Sequence, residues 1–228
     1  MCGRYTLIVN ELGEIESRFV SGQAKTPWLP RFNAAPSQIM PVIVNAGGDN
    51  RLAMMKWGLV PYWSKDTSLG NRMINARVET LIAKPAYRDL VSQHRCIIPA
   101  DGYYEWKKSG SAKVPVRVVL QSGGIFGIAG LWDSWRKPDG TLLETFTIIT
   151  TSPVRAVKDI HDRMPLILPP DQEQPWLHER VNSAEEVREF LSEIRPYEEL
   201  TSYTVSTMVN SPVNDRPECV IEETGTKN

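Results

Sequence analysis

The sequence predicts an α+β domain built mainly of strands, in which curved antiparallel sheets form a barrel-like core with helices at the periphery. Five β-branched or aromatic runs follow one another between residues 94 and 150, separated by clusters of Gly, Asp, Ser and Lys, the pattern of a strand meander. Helical periodicity is confined to short stretches outside that region. With 228 residues and 41% hydrophobic content, the chain can bury one sizeable core, and a single domain over residues 1–228 fits that length.

The elements follow in order. Glu11–Val20 sets Leu12, Ile15 and Phe19 on one helical face, and Pro27, Pro30 and Pro36 then pin a loop from Thr26 to Ser37. Met40–Val44 and Leu52–Leu59 read as a hairpin about Gly47-Gly48-Asp49-Asn50, with a loop from Pro61 to Gly70 after it. Asn75–Ile82 and Pro85–Val91 suit two short helices, the second opening on a proline whose missing N–H is no loss in a first turn. The meander comprises His94–Pro99, Tyr103–Trp106, Val114–Leu120, Ile125–Leu131 and Glu144–Thr150. Pro153–His161 returns to helical spacing. Ser183 and Glu186 make a capping box ahead of Val187, Phe190, Leu191 and Ile194. Tyr203–Met208 alternates like a strand, and Glu222–Asn228 reads as a frayed end.

No run of 18 apolar residues and no basic-then-apolar leader is present, so a cytoplasmic chain with no membrane partner is expected. Cys2, Cys96 and Cys219 are odd in number and far apart, and His94, His161 and His178 are scattered. That spacing suits neither a disulfide framework nor a zinc site, and no metal or cofactor is expected. The net charge of −1 hides a polarity: residues 1–167 hold 21 Lys and Arg against 14 Asp and Glu, whereas residues 168–228 hold 5 against 13. Such a split leaves room for a phosphate-binding face without a basic pI, although it also serves as ordinary solvated surface.

Cys2 stands out for chemistry, because removal of Met1 would leave it as the first residue with an amine and a thiol on adjacent carbons. The two groups titrate near ~8 and ~8.5 in a free chain. An aldehyde met by such a pair forms an imine that the thiol closes into a five-membered thiazolidine, with effective molarities of ~10^5 M or more for well-placed intramolecular attack. Glu105 lies in the aromatic run Tyr103-Tyr-Glu-Trp106, where burial would raise its pKa toward neutrality. His161, in Ile160-His-Asp-Arg-Met-Pro165, is either structural or an imidazole presented to a cleft. Asn75 is either a helix N-cap or a neutral amide beside the reacting terminus. Trp57 reads as core, and Trp63, beside Tyr62 and Lys65, as the better stacking platform.

Cys2-Gly-Arg4, Phe32-Asn-Ala-Ala-Pro36, Trp57-Gly-Leu-Val-Pro61, Asn75-Ala-Arg-Val-Glu-Thr80, Arg95 to Trp106, Ala129-Gly-Leu-Trp132 and His161-Asp-Arg-Met-Pro165 occur in order. With them the chain resembles the SRAP family, the SOS response-associated peptidases, over residues 2 to about 215. The resemblance implies a barrel-like α+β fold and a protein that binds single-stranded DNA or single-strand/double-strand junctions, linking its processed Cys2 to the ring-opened aldehyde of an abasic site. It further implies Cys2 as the cross-linking residue, Asn75 as the amide beside it, Glu105 as the catalytic carboxylate and His161 as the imidazole near the sugar. Arg4, Trp63, Lys65 and Arg77 are the expected DNA contacts, and a monomer associated with the nucleoid when DNA-bound is expected. Weak β-elimination is the expected side reaction. Two other classes stay open at this point: an N-terminal-nucleophile cysteine hydrolase acting on peptides or amides, and a noncatalytic single-strand-binding module.

Overall fold

The structure, a computed structural model, describes residues 2–19 and 27–223. In chain order it forms β1 (Tyr5–Leu7), α1 (Leu12–Phe19), β2 (Arg31–Ala34), β3 (Ile39–Ala46), β4 (Asp49–Trp57), β5 (Asn75–Arg77), α2 (Pro85–Gln93) and β6 (Arg95–Ala100). There follow β7 (Gly102–Ser109), β8 (Ala112–Leu120), β9 (Phe126–Arg136), β10 (Leu142–Thr151), β11 (Met164–Pro165), β12 (Ile167–Leu168), α3 (Pro170–His178), α4 (Ala184–Glu193) and β13 (Leu200–Thr204).

The strands sort into two units. One is an antiparallel sheet in the order β13-β8-β7-β1-β2. In the other, β3 pairs with β4 and β6, β6 with β9, β9 with β10, and β10 returns to β4, so five strands close on themselves as a barrel and leave no free edge among them. The closing β10–β4 pair is parallel, as is β10–β5, which departs from the all-antiparallel expectation. A parallel pair needs a long crossover, and here the chain from residue 58 to 141 supplies it.

The β3–β4 hairpin turns through Gly47 and Gly48 at φ +73° and +109°, the double positive φ that a two-residue turn matched to strand twist requires. Trp57 ends β4 fully buried, its ring 5.1 Å from Tyr5 and 6.2 Å from Phe146 between centroids. Gly58 then breaks the strand at φ +124°, where a Cβ would stand 2.5 Å from the Gly70 carbonyl oxygen. That close approach ends the strand two residues before the expected Leu59. The sheet and barrel are joined through the β6–β7 corner, where the Asp101 carboxylate accepts from Thr6 at 2.5 Å and Arg117 at 2.7 Å.

Three local expectations are corrected. Asn75–Ile82 is not a helix: β5 pairs with β10, and a 3₁₀ turn covers Val78–Thr80, because sheet pairing at the barrel overrides the weak local periodicity. Pro153–His161 folds as successive turns, with Val157 N–H bonded to Val154 and Ile160 N–H to Val157. These are i→i+3 bonds and no i→i+4 ladder develops. Tyr203–Met208 is strand only to Thr204, followed by a bridge at Val205 to Glu222 and a 3₁₀ turn at Thr207–Asn210. That bridge also orders Glu222, which was expected to fray; residues 224–228 lie outside the described residues, as do Val20 and Thr26 at the ends of two expected segments. The cap of the expected capping box is present, with Ser183 Oγ accepting from Glu186 N–H at 3.1 Å, while the Glu186 carboxylate accepts from the N–H of Asn182, the residue before the cap, at 2.7 Å.

Candidate active site

Cys2 leads into β1 and is completely buried. Asn75 reaches it from β5: its Nδ2 donates to the Cys2 carbonyl oxygen at 2.7 Å. The N-cap reading of Asn75 is thereby overturned, since the residue sits in a strand and its side chain crosses to the N-terminal segment. The indole N–H of Trp57 donates to the carbonyl of Ile74 at 2.9 Å, so the core tryptophan fixes the backbone immediately before Asn75. The Asn75 Oδ1 is buried and accepts no hydrogen bond from a described residue.

Glu105, on β7, is buried. Burial raises its pKa above the ordinary carboxylate range, and attraction to His161 opposes that rise. Its own charge acts in turn on Cys2: burial pushes the thiol far above the ordinary cysteine range, and Glu105 pushes it further. The electrostatic coupling runs from His161 through Glu105 to Cys2. The free-chain picture of a thiol titrating near ~8.5 therefore does not describe this sulfur, whose burial disfavours the thiolate.

His161 sits in the loop between β10 and β11. Its Nδ1 lies 3.0 Å from the Arg163 N–H and 2.7 Å from Asp162 Oδ1, so the ring is oriented along that edge by its own loop. Arg163 ties the loop down, pairing with Glu79 at 2.7 and 2.9 Å and donating to the Thr150 carbonyl at 2.6 Å. Sequence reasoning gave Arg163 no role. Its only signal was that it and Glu79 both fall within the quoted runs, and nothing local announces that the two runs pair.

The expected DNA contacts divide. Arg77 is exposed and two residues beyond Asn75, on the same face of β5. Arg4 is turned inward, donating to Asn33 Oδ1 at 2.9 Å and to the carbonyls of Val209 and Asn210 at 2.6 and 3.1 Å. Its partners are neutral, so the charge persists while three of its five N–H groups are committed. Trp63 is 52% exposed and Lys65 is exposed. Their loop is anchored on β9, through Asp133 to Tyr62 N–H and Trp135 to the Ser64 carbonyl, and not on the Cys2 cluster. Among the described residues no group of three or more His, Cys, Asp or Glu could hold a metal ion, and no helix is long and apolar enough to cross a membrane.

Cys2, Asn75, Glu105 and His161 come from four separate segments and are linked, Cys2 to Asn75 by a hydrogen bond and to Glu105 by charge, and Glu105 to His161 by charge; they define a class of β-rich scaffolds in which a buried cysteine, an amide, a carboxylate and an imidazole interact. The chain belongs to the SOS response-associated peptidase (SRAP) family, whose model matches residues 1–212. It is 43% identical over 225 residues to the abasic site processing protein YoqW of Bacillus subtilis, an alignment covering 96% of this chain and 99% of that one. It is 33% identical to the abasic site processing protein HMCES of Gallus gallus, over 84% of this chain and 66% of that protein. A solved structure of a protein from Bacteroides thetaiotaomicron superposes with a TM-score of 0.84 at 25% identity, over 97% of this chain and all of that one.

Proposed function

We propose that this chain processes abasic sites in single-stranded DNA or at single-strand/double-strand junctions, and that after removal of Met1 it captures the lesion covalently through Cys2. The names of its relatives support the abasic-site reading. The chemistry rests on one observation above the others: the Asn75 amide holds the Cys2 carbonyl at 2.7 Å while the Glu105 charge reaches the same residue. A terminal nitrogen carried by that residue would therefore be aimed by a neutral donor and served by a carboxylate of raised pKa, the pairing that general base catalysis near neutrality requires.

In the proposed sequence, His161 donates a proton to the ring oxygen of the deoxyribose and favours the open aldehyde. Glu105 takes a proton from the Cys2 ammonium, and the free amine adds to C1′ to give a carbinolamine. Loss of one water leaves the imine. The thiol then adds across C=N: the S–C bond forms as the C=N π bond breaks, and the proton lost by sulfur passes to the nitrogen by way of a base in the site, so the ring nitrogen ends as N–H in a thiazolidine. An imine that is not trapped acidifies C2′, so β-elimination of the 3′ phosphate is the competing path.

The upward shift of the Cys2 thiol weighs against the hydrolase alternative. A cysteine nucleophile attacks an amide as thiolate, and burial with an adjacent carboxylate opposes that form. Imine formation needs only the amine. The test is incubation of the processed protein with a single-stranded oligonucleotide containing one abasic site. The expected product is a gel-stable adduct whose intact mass is the sum of the partners less one water, absent with undamaged DNA and with Cys2→Ala. A normal adduct yield from Cys2→Ala defeats the proposal, and peptide turnover without adduct transfers the chain to the hydrolase class.

A further inference from the structure

We infer that the Tyr5 hydroxyl is a further working group of the site, a hydrogen-bond donor held for the sulfur of Cys2 as it closes the thiazolidine; this rests on the function proposed above. Tyr5 stands directly opposite Tyr103 in the β1–β7 pair, and residues so opposed share a face of the sheet. Glu105 lies two residues beyond Tyr103 and projects from that same face. The phenol is therefore on the carboxylate's side of the sheet, three residues after Cys2. Its ring packs on Trp57 at 5.1 Å. Through the indole bond to Ile74 that contact ties it to the backbone beside Asn75, the residue that holds Cys2.

Tyr5 is fully buried, yet its hydroxyl has no hydrogen-bond partner among the described residues. A buried phenol normally finds one, and leaving it unmatched costs stability. The resting sulfur accounts for the mismatch. Cys2 Sγ–H donates to the Arg4 carbonyl at 3.8 Å, and a neutral thiol is a weak acceptor, whereas a thiolate is a strong one. The phenol keeps its proton for that bond, because burial, and then the charge of Cys2, push its pKa well above the ordinary tyrosine range. In the closing step the S–H bond breaks and its proton passes through the base of the site to nitrogen. The electron pair left on sulfur forms the S–C bond as the C=N π bond opens onto nitrogen, and Tyr5 donates to the sulfur without giving up its own proton. That hydrogen bond exists only while the sulfur carries charge, so it favours the transition state over the resting thiol.

The test compares Tyr5→Phe, Tyr103→Phe and Cys96→Ala with the unaltered processed protein on a single-stranded oligonucleotide carrying one abasic site, reading gel-stable adduct against strand cleaved by β-elimination. Cys96 is the other buried thiol that acts on the phenol. Loss of one donor aimed at a developing charge slows its step about 10²-fold. The imine then lasts longer, so the ratio of cleaved strand to adduct should rise by as much as about 10² in Tyr5→Phe and keep its parent value in the other two. The Tm of Tyr5→Phe should rise by at least about 2 °C, because an unmatched hydroxyl is removed. An unchanged ratio in Tyr5→Phe overturns the donor, as does an equal rise in Tyr103→Phe or Cys96→Ala, since disturbed packing would then suffice. A fall in the Tm of Tyr5→Phe overturns it too, because the hydroxyl would already be bonded in the resting protein. If the unaltered protein gives neither adduct nor cleavage, the function and the donor fall together; adduct formation with an unchanged ratio in Tyr5→Phe removes the donor alone.

Discussion

Asn75→Ala separates chemistry from folding at the Cys2 cluster. The side chain makes one hydrogen bond to Cys2, from Nδ2 at 2.7 Å, while its Oδ1 is buried without a partner among the described residues. Truncation gives up a neutral hydrogen bond worth about 0.5–1.5 kcal/mol net, and it relieves an unmatched carbonyl oxygen whose desolvation costs about 1–3 kcal/mol. The two terms oppose, leaving a net between about 0.5 kcal/mol of destabilisation and about 2.5 kcal/mol of stabilisation, so Tm should fall by no more than about 2 °C at this chain length. The rate should respond differently. Without the amide, the nitrogen of Cys2 loses a restraint on its approach to the aldehyde, and a misplacement of that kind is worth about 10²-fold. The assay is single-turnover adduct formation at saturating abasic oligonucleotide, run beside thermal unfolding of the same preparation. A rate within about twofold of the parent would refute the positioning argument. A slow variant whose Tm has fallen by far more than that ~2 °C would reassign Asn75 to the fold.

Glu105→Gln should slow imine formation by about 10²–10⁴ at neutral pH and should also stabilise the protein there. A carboxyl whose folded pKa lies above its unfolded value, about 4.3, leaves stability intact below that value and subtracts from it as pH rises toward the folded pKa. The Tm advantage of the Gln variant should therefore be absent in acid and open with rising pH; an advantage that is flat from about pH 4 to pH 8 contradicts the raised pKa. His161→Ala should slow adduct formation while affinity for undamaged single strands is retained, and a large affinity loss with an unaltered single-turnover rate would make it a binding residue. Trp57→Ala should destabilise by about 3–5 kcal/mol in urea titration and free the Ile74 carbonyl; a loss under about 1 kcal/mol would mean that the ring's burial between Tyr5 and Phe146 is not what holds β5.

The meander was legible because its strands combine β-branched and aromatic residues with turn residues at short intervals, and β6 to β10 fall where those runs lie. The short pieces were not. β1, β2, β11 and β12 run two to four residues, too few for alternation to register, and their existence depends on partners distant in the chain. The helix α3 was hidden by Pro170 and Pro175, which read as breakers although the first occupies an opening position where proline is tolerated. Asn75 misled in the opposite sense, because an Asn before a weakly periodic stretch has the local form of a cap and only the pairing of β5 with β10 makes it a strand residue. The four candidate site residues were singled out by their local settings and assigned roles by the order of the motifs. Their convergence did not: 73 positions separate Asn75 from the Cys2 carbonyl it holds.

That convergence bears on the order of chemical events. In a free chain the amine and thiol of an N-terminal cysteine titrate within about one pH unit of each other, and either could attack an aldehyde first. Here burial drives the sulfur's pKa far upward and the charge of Glu105 adds to that rise, and the same carboxylate has a raised pKa that suits it to accept a proton. The carboxylate that adds to the effect of burial on the thiol is therefore also the one available to deprotonate the amine. Once it has taken that proton it is neutral, and its opposition to the thiolate is gone. Nitrogen attack and sulfur closure would then be ordered by a single group: the thiol becomes easier to ionise only after the amine has been activated. An environment that lowered the thiol pKa would lose this ordering and would favour a reversible hemithioacetal in place of the imine, so under the proposed chemistry a high thiol pKa would serve capture of the lesion.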